Sequence, residues 1–385
     1  MKTIYQILTK YVLVFSLLLL ISCKKDPKTN APITSEQKGT VYLGAGDNAF
    51  YAINAQTGNL VWKYQSEGNF SYSAPTLVNG LLFAGNADHN MYAFDPKTGK
   101  VIWKYATQSS IVSSPKVADG IVYFGSDDHY IYAVDATTGN LKWKYLTNGN
   151  VDSSPAISNG ILYIGSTDGN IYALNAFSGT LKWKYNTGSP IVLASVLISN
   201  ENIFVGNREG YLNAINAFSG QLKWKFSTNG ISLEQARPII NNGVIYLASW
   251  YKFENGIEDH IQSNNSSLNL PGSLYALKEE DGTIIWKSLD KQGFTSGPVY
   301  DNGKLFINSD DLNIHAIDAV TGNQVWKRPI IANGAIPTVA NGKVFAGGGG
   351  SRFFYVLDAS TGTESWKFPL DNSLSTSKAL VVNEN

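Results

Sequence analysis

Eight tryptophans recur almost metrically along the chain, and no other feature restricts its fold so tightly. Trp62, Trp103, Trp143, Trp183, Trp224, Trp286, Trp326 and Trp366 are spaced 41, 40, 40, 41, 62, 40 and 40 residues apart. Only Trp250 lies outside the series. A fixed period of this length marks an array of like units, each too small to bury its own apolar face. Residues 161–185 show one unit. Residues 161–165 (ILYIG) read as a strand, Asp168-Gly169-Asn170 as a turn and residues 171–174 as a second strand. Asn175 to Gly179 make a second turn, and residues 181–185 (LKWKY) a third strand. A fourth short strand, as at residues 153–157, precedes the unit and ends in Asn159-Gly160. Four short strands per unit, joined by Gly and Asx turns, make one propeller blade.

The turns and the chain ends agree with a ring. The second turn ends in glycine in all eight copies, from Gly58 to Gly362, where a left-handed residue is easily held. An Asx residue opens it in seven copies, and Lys278 is the exception. The first copy begins at Thr40-Val41-Tyr42 with no strand before it, while residues 375–382 after Trp366 form a strand with no copy of its own. That last strand is expected to complete the first blade and remove the open edge. The fold expected is thus all-β: one eight-bladed β-propeller of four-stranded antiparallel blades over residues 39–385. Leu181, Trp183 and Tyr185 alternate onto one face, so the tryptophans are expected to pack against the neighbouring blade. The lysine beside each, such as Lys184, is expected to guard an exposed outer edge. Lys plus Arg and Asp plus Glu both number 30, which argues against nucleic-acid binding through bulk positive charge.

The N-terminus reads as a separate element. Lys2 and Lys10 precede an apolar run from Tyr11 to Ile21, about half a membrane span in length and so a signal-peptide core. Leu20-Ile21-Ser22-Cys23 resembles a bacterial lipobox, and Cys23 is the only cysteine. The resemblance implies a signal over residues 1–22, lipidation at Cys23 and a tether over 23–38 reaching roughly 20 Å. Several acyl chains suit stable anchoring. By resemblance to known lipoprotein sorting rules, Lys24 after the cysteine implies the outer membrane of a bacterial envelope.

The pattern Tyr-Ala-Leu-Asn-Ala-x-Ser-Gly-x-Leu-x-Trp at residues 172–183 resembles the quinoprotein, or PQQ-like, propeller repeat. That family includes PQQ-dependent dehydrogenases and the BamB lipoproteins of outer-membrane β-barrel assembly, whose layout the chain resembles. In the dehydrogenases the resemblance implies a vicinal disulfide, an acidic calcium site, a catalytic Asp and long insertions. Here no cysteine lies outside Cys23. Asp127-Asp128 and Asp310-Asp311 fall in the first-turn slot of Asp88 and Asp168, so turn capping accounts for them. His89 and His129 replace Gly169 in that turn, and His315 replaces a strand tyrosine. The expectation is a chain that is no enzyme and carries no metal, PQQ or calcium.

Function is expected where the repeats differ. The 62-residue spacing holds about 22 extra residues, Trp250 to Gly272, between the second and third strands of blade six. Trp250, Tyr251 and Phe253 are candidate partner-binding aromatics in that loop, unless they staple it internally. Leu233, Phe70, Tyr72 and Phe294 are expected on the same face. Arg237 is the second departure. Its inner-strand slot is filled elsewhere by Ala74, Ser114, Ser154, Ser195, Gly297, Ile336 and Ser377. It is read as lining the channel mouth for an anionic group or a partner backbone, or as paired with Glu234 or Asp152. The function expected is a monomeric, membrane-anchored scaffold that docks envelope proteins in β-barrel assembly, with a small-ligand or glycan binder as the alternative.

Overall fold

The computed structural model describes residues 39–385 except 235, 251–252, 255–256, 259–271, 291–292, 331–334, 348–351, 371–376 and 384–385. The expected signal, Cys23 and the expected tether lie outside these residues. The described chain forms eight four-stranded antiparallel sheets, one per repeat, plus a two-stranded hairpin. In blade four the strands run Ala156–Ser158, Ile161–Gly165, Asn170–Asn175 and Leu181–Asn186, from the axis outwards. The ring closes as the sequence implies. Leu380–Val382 pairs antiparallel with Thr40–Gly44, with Thr40 opposite Val382 and Tyr42 opposite Leu380. Both ends of the described chain are therefore held in one sheet, and the first blade has no vacant inner edge.

The core lies between blades. Middle strands are buried on both faces, so they read as continuous apolar runs. Tyr163, Ile171 and Ala173 of blade four pack with Ile203, Val205 and Ile215 of blade five. The closing seam joins Val41, Leu43 and Tyr51 of blade one to Phe345, Phe354 and Val356 of blade eight.

The tryptophans act as clasps. The Trp183 indole N–H donates to the Ala217 carbonyl of the next blade at 3.0 Å. The same bond recurs at all eight seams, from Trp62 to Pro96 at 2.8 Å round to Trp366 and Ala55 at 3.2 Å. The indole ring covers the glycine that closes the next blade's turn. A Cβ on Gly220 would sit 2.7 Å from Trp183 Cδ2, and Gly220 has φ +72°. The glycine is thus required twice over, for its left-handed backbone and for the close approach of the ring. In seven turns an Asx carboxyl or amide caps the loop, as when Asn175 accepts from Phe177 and Ser178 N–H at 3.0 and 2.9 Å. At Lys278 the turn closes by the Gly282-to-Lys278 backbone bond, with Asp281 accepting from Thr283 N–H.

Strand alternation gives the ring two faces. The Asn-Gly hairpins between first and second strands leave on the same face as the Asx–Gly turns between third and fourth. The loops between second and third strands share the other face with the links from one blade to the next. We call these the turn face and the link face. At the turn face Asn159 and Gly160 both hold left-handed φ, +50° and +70°, as a tight two-residue hairpin requires.

Gly220→Ala is expected to cost about 2–4 kcal/mol in urea unfolding, through overpacking against Trp183 and a strained φ. An unchanged unfolding midpoint would show that the clasp does not bear on stability.

Candidate functional site

The repeat breaks on the link face. The long insertion leaves the second strand of blade six, Val244–Ala248, and returns at Gly272–Lys278. Trp250 stands at its start, half-buried, with its N–H donating to the Ser232 carbonyl at 3.2 Å. It shares a small cleft with Ala236, Ala248, Phe294 and Ser296. Phe253–Glu254 pairs with Ile257–Glu258 as a hairpin in the loop. Tyr251 and the Phe253 side chain lie outside the described residues.

Leu233 is not on the surface. It is 1% exposed and packs with Ala236 and Leu247. It occupies a repeated slot: the N–H groups of Phe70, Ile111, Val151, Ile191 and Leu233 each bond a carbonyl at the root of the preceding loop. The link turns this residue into the seam, so Leu233 supports the face from beneath. Phe70 and Phe294 are buried as well, whereas Tyr72 is half-exposed. Leu312, which sequence reading passed over, is 43% exposed with φ +64° in the slot of Gly169, His89 and His129. A leucine held there is backbone strain at an exposed site. An apolar residue in a slot held elsewhere by Gly, His, Asn48 or Arg352 was the signal for it.

At the axis, strand register assigns the inner slots. Ser154 lies two residues before Ala156, which pairs with Tyr163. Arg237 lies two before Ile239, which pairs with Tyr246. The equivalent residue of blade one lies two before Leu380, which pairs with Tyr42, and is Lys378. Ser377 instead matches Ser153, its Oγ accepting the Gly44 N–H just as that of Ser153 accepts Gly165. The ring therefore holds two cations where the sequence alone showed one. The one-residue offset arose because blade one has Ala379 where six of the other seven blades carry a proline, as at Pro155 and Pro238.

Neither proposed acid pairs with Arg237. Glu234, 5% exposed, accepts from Arg208 Nε at 2.8 Å. Asp152 lies against Asp127. Among the described residues the Arg237 guanidinium and the Lys378 ammonium make no ion pair or hydrogen bond. Burial pushes Arg237 down to about 10, while burial and then Arg237 itself push Lys378 down. Gly297, next in the ring, makes room for the arginine, since a Cβ there would lie 2.8 Å from the Arg237 Cβ.

The acidic doublets divide their roles. Asp128 and Asp311 do cap turns, accepting from Tyr130 and Asn313 N–H at 3.1 and 2.9 Å. Asp128 also accepts from the Tyr132 hydroxyl at 2.7 Å, and His315 takes the tyrosine's part against Asp311 at 3.0 Å. Asp127 caps nothing. Its Oδ1 and that of Asp152 are sealed from solvent without a hydrogen bond. Desolvation and then contact with Asp127 hold the Asp152 carboxyl well above the ordinary range, against a smaller opposing pull from Arg208. The folded protein thus holds this proton more tightly than the unfolded chain does. Stability falls as pH rises from about 4, the unfolded value, through neutrality. Asp152→Asn removes that loss. Its Tm is expected to match the parent near pH 4 and to exceed it by about 2–4 °C at pH 8. Parallel Tm profiles would overturn this.

Comparison with known proteins locates the chain. The propeller of beta-alanine-activating enzyme matches residues 30–246, and outer membrane protein assembly factor BamB matches residues 271–384. Quinohemoprotein alcohol dehydrogenase ADH-IIG of Pseudomonas putida is 37% identical over 120 residues, 25% of this chain and 16% of that protein. The chain thus spans well under two thirds of that relative's length. In fold it is similar to BamB from Moraxella catarrhalis, with TM-score 0.62, 17% identity and coverage of 79% of this chain and 87% of that one. It is also similar to quinohemoprotein alcohol dehydrogenase from Comamonas testosteroni, with TM-score 0.69, 16% identity and coverage of 89% and 72%.

These findings correct two expectations, that the chain stands apart from enzymes and that it has no link to PQQ or metal cofactors. Its relatives include quinone-dependent dehydrogenases. The missing second cysteine bears on one disulfide. As for fit, the axial cations suit an acidic group. Among the described residues, however, no three His, Cys, Asp or Glu side chains converge to hold a metal. The donor set of the described residues does not fit a metal. With a family model matched over more than half of its length, the chain belongs to the family of the beta-alanine-activating enzyme β-propeller, and it carries the PQQ-like repeat, the BamB model matching residues 271–384.

Proposed function

We propose that the protein is a lipid-anchored propeller of the bacterial envelope that docks a protein partner on its link face, with outer-membrane β-barrel assembly as the most specific form of the role. One observation carries this reading: the departures from the repeat fall on one face. The insertion with Trp250, the strained Leu312, the axial cations and the Asp127–Asp152 pair all sit among the link-face loops and the inner-strand ends. The turn face keeps one hairpin and turn design, with single exposed tips such as Phe177 and Val320. Half-buried aromatic and exposed aliphatic residues beside polar loops suit an interface anchor with a wet rim. The partial match to BamB supports the envelope setting. Cys23 and the outer-membrane address belong to the same proposal.

Affinity recovery of the mature lipoprotein from membranes tests it. An envelope protein is expected to co-purify above a Cys23→Ala control, and Trp250→Ala is expected to reduce its recovery about tenfold or more. Recovery no better than the control counts against docking. A second reading rests on the 37% identity to a quinohemoprotein alcohol dehydrogenase. Dye-linked alcohol oxidation after addition of PQQ and calcium would favour it over docking.

A further inference from the structure

We propose that the link-face mouth of the axial channel binds a small multivalent oxyanion, a polycarboxylate or phosphate, held between Arg237 and Lys378. This goes beyond the docking role and does not depend on it. Two cations enclosed together without a counter-ion among the described residues repel each other and lose hydration, which is costly unless something compensates them. The two acids that the sequence offered as partners are committed elsewhere, Glu234 to Arg208 and Asp152 to Asp127.

The positions are built rather than incidental. Arg237 and Lys378 hold the same slot in their blades, three places apart in the ring, with Gly297 and Ile336 between them. Gly297 clears space that even one methyl group would close against Arg237. Both cations are half-buried. Across the ring, the Ser114 and Ser154 hydroxyls accept the N–H groups of Ala74 and Ser114 at 2.9 and 3.0 Å, leaving their own hydrogens to donate. A guanidinium fork gives two parallel bonds to a carboxylate or phosphate, an ammonium adds a point charge, and hydroxyls complete the polar shell. Two cations match an anion of charge two or more.

The test is isothermal titration of the mature protein with citrate and, separately, with inorganic phosphate, against sodium chloride of equal ionic strength. Saturable one-site binding of at least one anion is expected, with a Tm that rises with its concentration. Citrate alone binding assigns the polycarboxylate class, and phosphate alone the phosphate class. Arg237→Gln and Lys378→Gln are each expected to weaken binding at least tenfold. Both are also expected to equal or exceed the parent in Tm without anion at low salt, since each relieves a repulsion. Absence of saturable binding beyond chloride, or undiminished binding in both variants, overturns the site. A fall in the anion-free Tm of both variants with binding intact makes the cations structural and overturns it as well.

Discussion

The indole clasp is the interaction on which the rest of this ring depends. A four-stranded blade is small and apolar on both faces, and it has no stability apart from its neighbours. Each tryptophan joins two blades by one directed hydrogen bond and by the fit of a flat ring over a glycine. Eight repetitions fix the angle between successive blades. The last bond, from Trp366 to the Ala55 carbonyl, spans 311 residues of sequence and closes the circle. The pairing of Leu380–Val382 with the first blade adds a second closure at the axis, so the ring is locked at its rim and at its centre.

A framework locked in this way tolerates change where the clasps are not. Links and second-to-third-strand loops leave one face, and there the chain inserts residues, strains a leucine and exposes an aromatic without disturbing the seams. The turn face is tied to the clasp, because its glycines lie under the indoles. Its outer turns are therefore alike, with glycine closing all eight and an Asx residue opening seven, while the link face diverges. The same reasoning separates packing residues from candidate binding residues. Leu233, placed by sequence among the latter, proves to be a repeated seam residue like Val151 and Ile191.

Electrostatics is where the closed ring adds most. Opposite charges that look available to one another along the chain are allotted differently in space. Glu234 lies three residues from Arg237 yet pairs with Arg208, 26 residues away. Asp127 adjoins a turn-capping Asp128 but faces Asp152 of the next link. The result is a proton-sharing acid pair and an uncompensated pair of cations on one face. The two bear opposite consequences for stability and for binding, and neither requires any chemistry by the blades themselves.

The sequence by itself determined the number of blades, the four strands of each, the Asx–Gly turns, the completion of the first blade and the place of the insertion. These follow from local periodicity and turn chemistry, which act over a few residues and repeat eight times, so error in one copy is corrected by the others. The tertiary structure alone decided that Lys378 joins Arg237 at the axis, that Asp127 meets Asp152, that Leu233 points inward and that Leu312 is exposed. Such assignments depend on register and on contacts between different blades. Arg237 and Lys378 share one ring of inner-strand slots although 141 residues separate them in the chain, and no local pattern encodes that meeting. Family kinship was legible in the repeat, but the branch was not, because the residues that build a blade are the same whichever task the loops perform.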